Sequence, residues 1–368
     1  MKILQILTEL GPGGAERVVL DLTEQLLARG HEVSLIALKS PPENRTVLDR
    51  FLALGVEPFF LGMDRAFQLG RLFALRRAIR RIAPDLCHSH LMHPNLCSRL
   101  AVFGLGIPLV NSIHISERRS RQGVFFALDR LTFPLCSACT AVSEASARFH
   151  EKKLGLKTGT IRVVYNGVDP VPRPEPEELE ELEMLRRKWG VENCARMIGS
   201  VGRFDWQKGY DFLLSMLPEL SARIPSGETW GIVLVGDGGE REKLKRLASA
   251  APANLRVVLP GFMPDAAKAD WLFDVFVMPS RYEGYGLALA EAMSTGVPVV
   301  VNPVDSLPEL CRFYPESAET DFESPENRGQ AAEVIVEFAQ HPRSGGTVIC
   351  RRSEMAESYL GLYEKFLK

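Results

Sequence analysis

Residues 2–30 read KILQILTELGPGGAERVVLDLTEQLLARG. Lys2–Leu7 is apolar enough for a buried strand, and the helical pattern of Ala15–Arg29 stops at Gly30, a common helix end. Gly11-Pro-Gly-Gly14 lies between them, at a helix start where backbone N–H groups can approach an anion. Strand, glycine turn and helix in this order are typical of the first repeat of a doubly wound α/β domain.

Short apolar runs alternate with longer helical patterns along the rest of the chain, which favours parallel sheets covered by crossover helices. The predicted strands are Lys2–Leu7, Val33–Leu38, Val56–Phe60, Asp85–Ser89, Leu109–Ile113, Cys139–Val142, Ile161–Tyr165, Arg196–Val201, Gly231–Val235, Arg256–Leu259, Val275–Met278 and Val297–Val301. The predicted helices include Ala15–Arg29, Leu69–Ile82, Tyr210–Ile224, Glu240–Ala250, Ala266–Trp271, Leu287–Thr295 and Arg351–Phe366.

A proline-rich stretch that turns acidic, DPVPRPEPEELEELE at 169–183, divides the chain as a connector leading into a helix. A chain of 368 residues is long enough for two domains of ordinary size. We therefore predict one Rossmann-like domain over residues 1–170 and a second over 171–350. A C-terminal helix within 351–368 is expected to pack back toward the first domain.

Composition and charge limit the classes of function. The first apolar run is about six residues long and no run approaches about 18, so we expect a cytoplasmic protein. Residues 1–170 carry 22 Lys and Arg against 15 Asp and Glu, whereas the remainder carries 22 against 31. A nucleic-acid partner is not expected, because the second half is acidic and has no recognition motif.

Two basic segments of the first half indicate an anionic partner such as the inner face of the cell membrane, with ordinary solvated surface as the alternative. One is the helix 71–81, which contains five arginines. The other, ERRSRQGVFFALDRLTF at 117–133, combines Arg118, Arg119 and Arg121 with Phe125, Phe126 and Phe133. We therefore predict peripheral association of the first domain with an anionic membrane surface.

The segment VGRFDWQKG, residues 201–209, follows a predicted strand and precedes a helix. Gly202 leaves room for a close approach, and Arg203 and Lys208 stand where basic side chains can face a diphosphate. By comparison, the loop at 11–14 is ambiguous, because a plain tight turn explains it almost as well as a phosphate site. It does not match G-x-G-x-x-G, so a dinucleotide is not expected.

Residues 279–300 read PSRYEGYGLALAEAMSTGVPVV. Glu283 lies in a glycine-rich loop, and Gly284, Tyr285, Gly286 and Leu287 lead into the helix that contains Glu291. Backbone donors at that helix start can meet phosphate oxygens, and carboxylates are good acceptors for sugar hydroxyls. For Glu291 the alternative is a carboxylate that merely stabilises the helix dipole.

These segments together resemble the retaining glycosyltransferases of family 4, the "glycosyl transferases group 1" whose members have an E-x7-E motif. Glu283 and Glu291 have that spacing, and GPGGAERVVLDL, the segment NSIHIS with His114, AVSEAS, VVYNGVD and VGRFDWQKG are similar to the family in the expected order. The resemblance implies a GT-B architecture, in which two Rossmann-like doubly wound domains face a central cleft.

Residue roles follow from the resemblance. Arg203 and Lys208 would hold the donor diphosphate, Glu283 the donor sugar and Glu291 the ribose. From the first domain, Gly13 and Gly14 would approach the phosphates, and His114 would lie beside the reacting sugar. The catalytic set is thus His114, Arg203, Lys208 and Glu283, whereas Gly13, Gly14, Gly202, Gly284, Tyr285, Gly286, Leu287 and Glu291 bind the donor.

The resemblance also implies transfer of a hexose-type sugar, with retention, from a nucleotide donor, UDP rather than GDP, to a glycan or lipid-linked acceptor in cell-surface polysaccharide synthesis. No cofactor or metal ion is expected, since the sequence contains no D-x-D pair for a divalent cation. One segment departs from the family: after Val301 only Pro308-Glu309 matches its pattern. The alternative function is therefore a catalytically silent nucleotide-binding subunit that partners an active glycosyltransferase.

Overall fold

The computed structural model describes residues 1–64, 68–115 and 123–367. It contains two compact units. Unit 1 comprises Met1–Gly167 together with Cys350–Lys368, and unit 2 comprises Val168–Ile349. The C-terminal residues therefore belong to the same unit as the N-terminal ones.

Unit 1 is built on a parallel sheet with seven strands among the described residues, in the order β3-β2-β1-β4-β5-β6-β7. The strands are β1 (Lys2–Leu7), β2 (Glu32–Ala37), β3 (Pro58–Phe60), β4 (Leu86–His90), β5 (Leu109–Ile113), β6 (Ala138–Ala141) and β7 (Arg162–Val163).

Unit 2 is built on a six-stranded parallel sheet in the order β10-β9-β8-β11-β12-β13. The strands are β8 (Arg196–Val201), β9 (Trp230–Val235), β10 (Leu255–Gly261), β11 (Val275–Met278), β12 (Val299–Val301) and β13 (Ser317–Glu319). In both sheets the strand order reverses once, between β1 and β4 in unit 1 and between β8 and β11 in unit 2. Ligands of doubly wound proteins bind beyond the carboxyl ends of the strands at such a reversal.

Helices connect the strands. They are α1 (Gly14–Ala28), α2 (Thr46–Ala53), α3 (Leu69–Ile82), α4 (Met92–Val102), α5 (Gly123–Thr132), α6 (Glu144–Leu154), α7 (Pro176–Trp189), α8 (Tyr210–Ser215), α9 (Leu217–Ser221), α10 (Arg241–Ala248), α11 (Leu287–Ser294), α12 (Leu307–Cys311), α13 (Arg328–Phe338) and α14 (Arg352–Tyr363). Short 3₁₀ helices lie at Phe133–Leu135, Trp206–Lys208, Ala266–Leu272, Pro325–Asn327 and Glu364–Phe366. The predicted class, two doubly wound α/β domains, is confirmed.

The C-terminal helix α14 is part of the core of unit 1. Tyr359 and Tyr363 are buried, and the hydroxyl of Tyr363 lies 2.6 Å from Nδ1 of His88 on β4. At the other end of the helix, Arg352 pairs with Asp21 of α1 at 3.3 Å. Tyr359 also has a polar partner, the hydroxyl of Ser112 at 3.1 Å. Burial of two tyrosines whose hydroxyls are both paired accounts for the return of the chain to this unit.

Candidate active site

The loop after β8 carries the two basic side chains that the sequence singled out. Gly202 and Arg203 follow the strand directly, and Lys208 ends a short 3₁₀ helix. The next residue, Gly209, has a φ of +63°, and a Cβ there would lie 2.1 Å from the carbonyl oxygen of Pro279. Only glycine lets this loop approach the segment after β11 so closely.

Arg203 and Lys208 differ in their surroundings. The side chain of Arg203 is exposed and makes no hydrogen bond or ion pair with any residue that the structure describes. Lys208 is largely buried, and its Nζ donates to Oε1 of Glu283 at 2.6 Å. The site therefore contains one cation that is available to a ligand and one that is already held by a carboxylate.

Glu283 is buried at the carboxyl edge of β11, where a lone carboxylate would be strongly destabilised. Its Oε1 accepts from Lys208 and also from the hydroxyl of Ser280 at 2.8 Å. Its backbone N–H donates to Oδ2 of Asp305 at 3.1 Å. Side chain and backbone are thus held separately, which fixes where the carboxylate points.

The glycine-rich turn after Glu283 leads into α11. Gly286 has a φ of +96°, a backbone conformation that favours glycine, and Leu287 is the first helical residue. Gly284 and Tyr285 are buried beside it, and the carbonyl oxygen of Tyr285 accepts from the hydroxyl of Ser306 at 2.9 Å. The N-terminus of α11 is therefore presented at the same sheet edge as Lys208.

Glu291 lies on α11 and is buried. Burial raises the pKa of the nearby Asp270 carboxyl well above its usual range, and the charge of Glu291 raises it further against the opposing Arg343. Neither carboxyl oxygen of Asp270 has a hydrogen-bond partner among the described residues. Burial and the neighbouring Glu291 thus both favour the neutral form of Asp270.

Arg281 ties the two loops together. It donates to the carbonyl oxygen of Trp206 at 2.7 Å and to both carboxylate oxygens of Asp211, at 2.8 and 2.9 Å. Its guanidinium also lies 3.9 Å from the ring centroid of Phe212. Because bidentate pairing and ring stacking both depend on the planar fork, lysine cannot replace Arg281 here.

We expect the Asp211 contact to stabilise unit 2 in a pH-dependent way. Burial alone would raise the pKa of Asp211, but Arg281 and Lys243 outweigh it and lower the pKa from 3.8 to about 2. Since the pKa of Asp211 is lower in the folded protein than in the unfolded chain, its ionised carboxylate contributes about 2 kcal/mol to the free energy of unfolding. This contribution is complete above pH 4 and disappears as the pH falls toward 2. Urea unfolding of wild type and Asp211→Asn between pH 2.5 and 7 measures this difference.

The exposed Asp265 of the same unit supplies the matched control. Asp265→Asn should leave the free energy of unfolding nearly unchanged at every pH. A stability difference between wild type and Asp211→Asn that stays constant below pH 4 would contradict the assigned pKa.

In unit 1, the glycine loop and His114 lie beyond the carboxyl ends of β1 and β5. Gly13 precedes α1 and Gly14 is its first residue. His114 Nε2 lies 2.9 Å from Nδ1 of His90, the last residue of β4. Burial lowers the pKa of His114 to about 4, so its imidazole is neutral at pH 7.

A cavity of about 260 Å³ lies beside His114. Its lining among the described residues includes Thr8, Asn95, Arg99, His114 and His150. The Nδ1 atom of His114 is buried and has no hydrogen-bond partner in the described part of the chain. A buried acceptor or donor of this kind is costly unless something pairs with it.

The structure brings Lys208 and Glu283 into direct contact and places Gly202, Arg203, Gly284, Tyr285, Gly286, Leu287 and Glu291 on the two loops and the helix around them. Gly13, Gly14 and His114 lie at the corresponding sheet edge of unit 1. Sequence reasoning missed Arg281, Asp211 and Asp305. Arg281 stands inside the quoted segment 279–300, so its position beside Glu283 was a usable signal.

Comparisons with known proteins identify the family of the chain. Residues 12–171 match the family model described as Glycosyltransferase Family 4, and residues 195–340 match Glycosyl transferases group 1. Phosphatidyl-myo-inositol mannosyltransferase of Mycolicibacterium smegmatis is 31% identical, over 80% of this chain and 74% of the relative. 2-Deoxystreptamine glucosyltransferase of Streptomyces kanamyceticus is 28% identical over 67% of each protein.

The fold is also found in solved structures. HepE from Anabaena, crystallised in complex with UDP, superposes with a TM-score of 0.74 at 20% identity, and the match covers 100% of this chain and 96% of HepE. Two family models on successive halves of the chain, together with the mannosyltransferase relative, show that the protein belongs to the glycosyltransferases of family 4 and group 1 and is a glycosyltransferase.

Proposed function

We propose that this glycosyltransferase transfers a hexose-type sugar from a UDP-sugar to a glycan or lipid-linked acceptor, with retention of configuration and without a metal ion, in cell-surface polysaccharide synthesis. The observation that carries the proposal is the Lys208–Glu283 contact of 2.6 Å at the strand reversal of unit 2. In this contact a cation and a carboxylate lie side by side, and we assign the cation to phosphate and the carboxylate to sugar hydroxyls. The UDP bound by HepE supports the choice of nucleotide.

The diphosphate is assigned to Arg203, Lys208 and the N-terminus of α11. Arg203 is exposed and so can turn toward a ligand, and Lys208 supplies a second positive charge within the loop. Phosphate oxygens are also assigned to the start of α11, where the helix dipole favours negative charge. These groups replace the charge neutralisation that a divalent cation gives in other transferases.

Glu283 and Glu291 are assigned to hydroxyl groups. Glu283 is held through its Oε1 by Lys208 and Ser280, and its carboxylate is assigned to hydroxyl groups of the donor sugar. Glu291, whose carboxylate raises the pKa of the neighbouring Asp270, is assigned to the ribose. The same proposal assigns Gly13 and Gly14 to the phosphates and His114 to the transferred sugar.

In the proposed step, the bond between the anomeric carbon and the β-phosphate oxygen breaks while the acceptor oxygen attacks from the same face. The proton of the acceptor hydroxyl passes to the departing phosphate oxygen, so no protein base is needed. Arg203 and Lys208 stabilise the negative charge that develops on the leaving diphosphate. The products are UDP and a glycoside of unchanged anomeric configuration.

Calorimetric titration tests the donor assignment. Wild type is expected to bind UDP in EDTA, because the proposed site uses no metal ion. It is also expected to bind UDP more tightly than GDP or ADP. Glu291→Ala should weaken UDP binding by roughly 1–2 kcal/mol, the cost of a lost ribose hydrogen bond to a charged group.

The matched control is Glu319→Ala on the edge strand β13, which should bind UDP as wild type does. Equal UDP affinity in wild type and Glu291→Ala would remove the ribose role. Absence of binding of all three nucleotides by folded protein would remove the donor assignment altogether.

We also propose that unit 1 associates peripherally with the anionic inner face of the cell membrane. On α3, Arg77, Arg80 and Arg81 are exposed beside Phe73, which is 72% exposed. Arg76 donates to the backbone carbonyl oxygen of Phe103, which is 65% exposed, so a second exposed aromatic residue lies next to the same helix. Among the described residues no helix is long and apolar enough to cross a membrane. Arg118, Arg119 and Arg121 of the second basic segment lie outside the described residues.

Liposome flotation tests this association. Wild type is expected to float with vesicles containing phosphatidylglycerol at low salt and to be released by high salt, because the attraction is electrostatic. Arg77→Glu/Arg80→Glu should remain in the dense fraction, whereas Lys245→Glu/Arg246→Glu on α10 of unit 2 should behave as wild type. No flotation of wild type at low salt would overturn the proposal.

A further inference from the structure

Unit 1 contains a run of buried polar side chains at its strand reversal. Gln5 on β1, His88 and His90 on β4 and Ser112 on β5 are at most 1% exposed. Strands buried on both faces of a parallel sheet are normally apolar, so polar residues there need specific partners. All four have such a partner, although the amide nitrogen of Gln5 has none among the described residues. One branch of the contacts ends at His114.

The branch toward His114 runs across three neighbouring strands. Oε1 of Gln5 lies 2.7 Å from Nε2 of His90, and Nδ1 of His90 lies 2.9 Å from Nε2 of His114. His88 belongs to another branch, since its Nε2 contacts the hydroxyl of Ser112 at 2.7 Å and its Nδ1 contacts Tyr363. Gln5, His90 and His114 therefore form one chain of hydrogen bonds with a defined direction.

Proton counting gives that direction. Burial lowers the pKa of His90 well below its usual range and that of His114 to about 4, so both rings are neutral at pH 7. A neutral imidazole has one N–H and one lone pair. With the amide oxygen of Gln5 facing it, Nε2 of His90 must donate, which leaves Nδ1 as an acceptor. Nε2 of His114 then donates to His90, and Nδ1 of His114 is left without a proton.

We propose that Gln5 and His90 are positioning residues that hold His114 with its proton on Nε2, so that the bare Nδ1 accepts a hydrogen bond from a hydroxyl of the transferred sugar. The inference rests on the proposed function, which assigns His114 to that sugar. His114 lines the cavity of unit 1, and its buried Nδ1 has no partner among the described residues. Neither positioning residue needs to touch the substrate, because each acts through the ring of His114.

Nitrogen NMR of the full chain labelled with ¹⁵N-histidine tests the assignment directly. His114→Asn identifies the His114 signals by their disappearance. Wild type is expected to show Nε2 protonated and Nδ1 bare, two states that are widely separated in nitrogen chemical shift. A protonated Nδ1, which the opposite amide orientation of Gln5 would produce, or an averaged signal overturns the inference.

Two substitutions of His90 separate positioning from packing. Phenylalanine fills the space but offers no acceptor, whereas the amide oxygen of asparagine lies close to the position of imidazole Nδ1. We expect His90→Phe to average the His114 signals and to lower kcat for UDP-glucose hydrolysis roughly tenfold to hundredfold, with UDP affinity unchanged. His90→Asn should restore both the signals and most of kcat, and Gln5→Leu should resemble His90→Phe.

The outcomes distinguish the two proposals. If His90→Phe and His90→Asn lose kcat equally, the role of His90 is structural and the inference is wrong. If UDP binds to wild type while Nδ1 of His114 carries the proton, the inference fails alone. If Nε2 of His114 is protonated but wild type binds no UDP in calorimetry, the proposed donor assignment fails while the tautomer stands.

Discussion

Lys208→Ala is expected to lower turnover by about 10²–10³-fold while the protein remains folded. Two effects combine. The leaving diphosphate loses the positive charge of Nζ, and Glu283 loses the partner that lies 2.6 Å from its Oε1. Because Glu283 is 5% exposed, its carboxylate cannot be rehydrated and is left with the hydroxyl of Ser280.

The measurement is release of UDP from UDP-glucose, alongside thermal unfolding and calorimetry with UDP. Lys208→Ala should weaken UDP binding as well as turnover, since Lys208 is assigned to the diphosphate. Glu283→Gln keeps the size of the side chain and should lower turnover with a smaller change in UDP affinity, because UDP carries no sugar. This contrast separates the two members of the pair.

Lys268→Ala is the matched control. Lys268 also belongs to unit 2 and forms an ion pair, with Glu178 on α7 at 2.8 Å, but both partners lie at the surface. Its loss should leave turnover and UDP affinity unchanged, as expected for a surface pair. Turnover near the wild-type rate in both Lys208→Ala and Glu283→Ala would remove the assignment of this site.

Much of the fold was predictable because buried strands of a parallel sheet are uninterrupted apolar runs. The predicted strands Lys2–Leu7, Leu109–Ile113 and Val275–Met278 are confirmed with the same bounds. The edge strand β13 was missed, since its sequence Ser-Ala-Glu has no apolar pattern. A strand of three partly exposed residues has too little hydrophobic pattern to be predicted from its own sequence, and its pairing with β12 is visible only in the structure.

The predicted helix Tyr210–Ile224 is wrong as a single element. The structure has α8 and α9 in its place, with Met216 between them. Pro218 explains the break, because proline cannot donate to the residue four positions earlier and fits best in a first helical turn. Pro218 is the second residue of α9, so the sequence contained the signal.

The candidate site was predictable only in part. The identities of Lys208 and Glu283 follow from motifs, but their contact spans 75 residues and depends on the order of strands. The segment after Val301 departs from the family pattern, yet Asp305 accepts the N–H of Glu283 and Ser306 donates to Tyr285. Support of a loop by residues about twenty positions away cannot be read from either segment alone.

Asp129→Ala is expected to destabilise unit 1 by about 3–5 kcal/mol, the cost of breaking a buried ion pair by removing one partner. Asp129 on α5 pairs with Arg99 on α4, and both side chains are buried. Arg99 also donates to Oδ1 of Asn111 at 2.6 Å and lies 5.3 Å from the ring centroid of Phe133. The guanidinium therefore cannot turn to water once the carboxylate is gone.

Urea unfolding and hydrogen exchange measure the effect. Each of the four tryptophans, 189, 206, 230 and 271, lies in unit 2, so tryptophan fluorescence follows that unit and circular dichroism follows the whole chain. Exchange should increase in α4, β5 and α5, the elements that Arg99 connects. Arg99→Met/Asp129→Leu should recover most of the lost free energy of unfolding, because two apolar side chains of similar volume leave no buried charge. If the double variant is as unstable as Asp129→Ala, packing rather than charge is the cause.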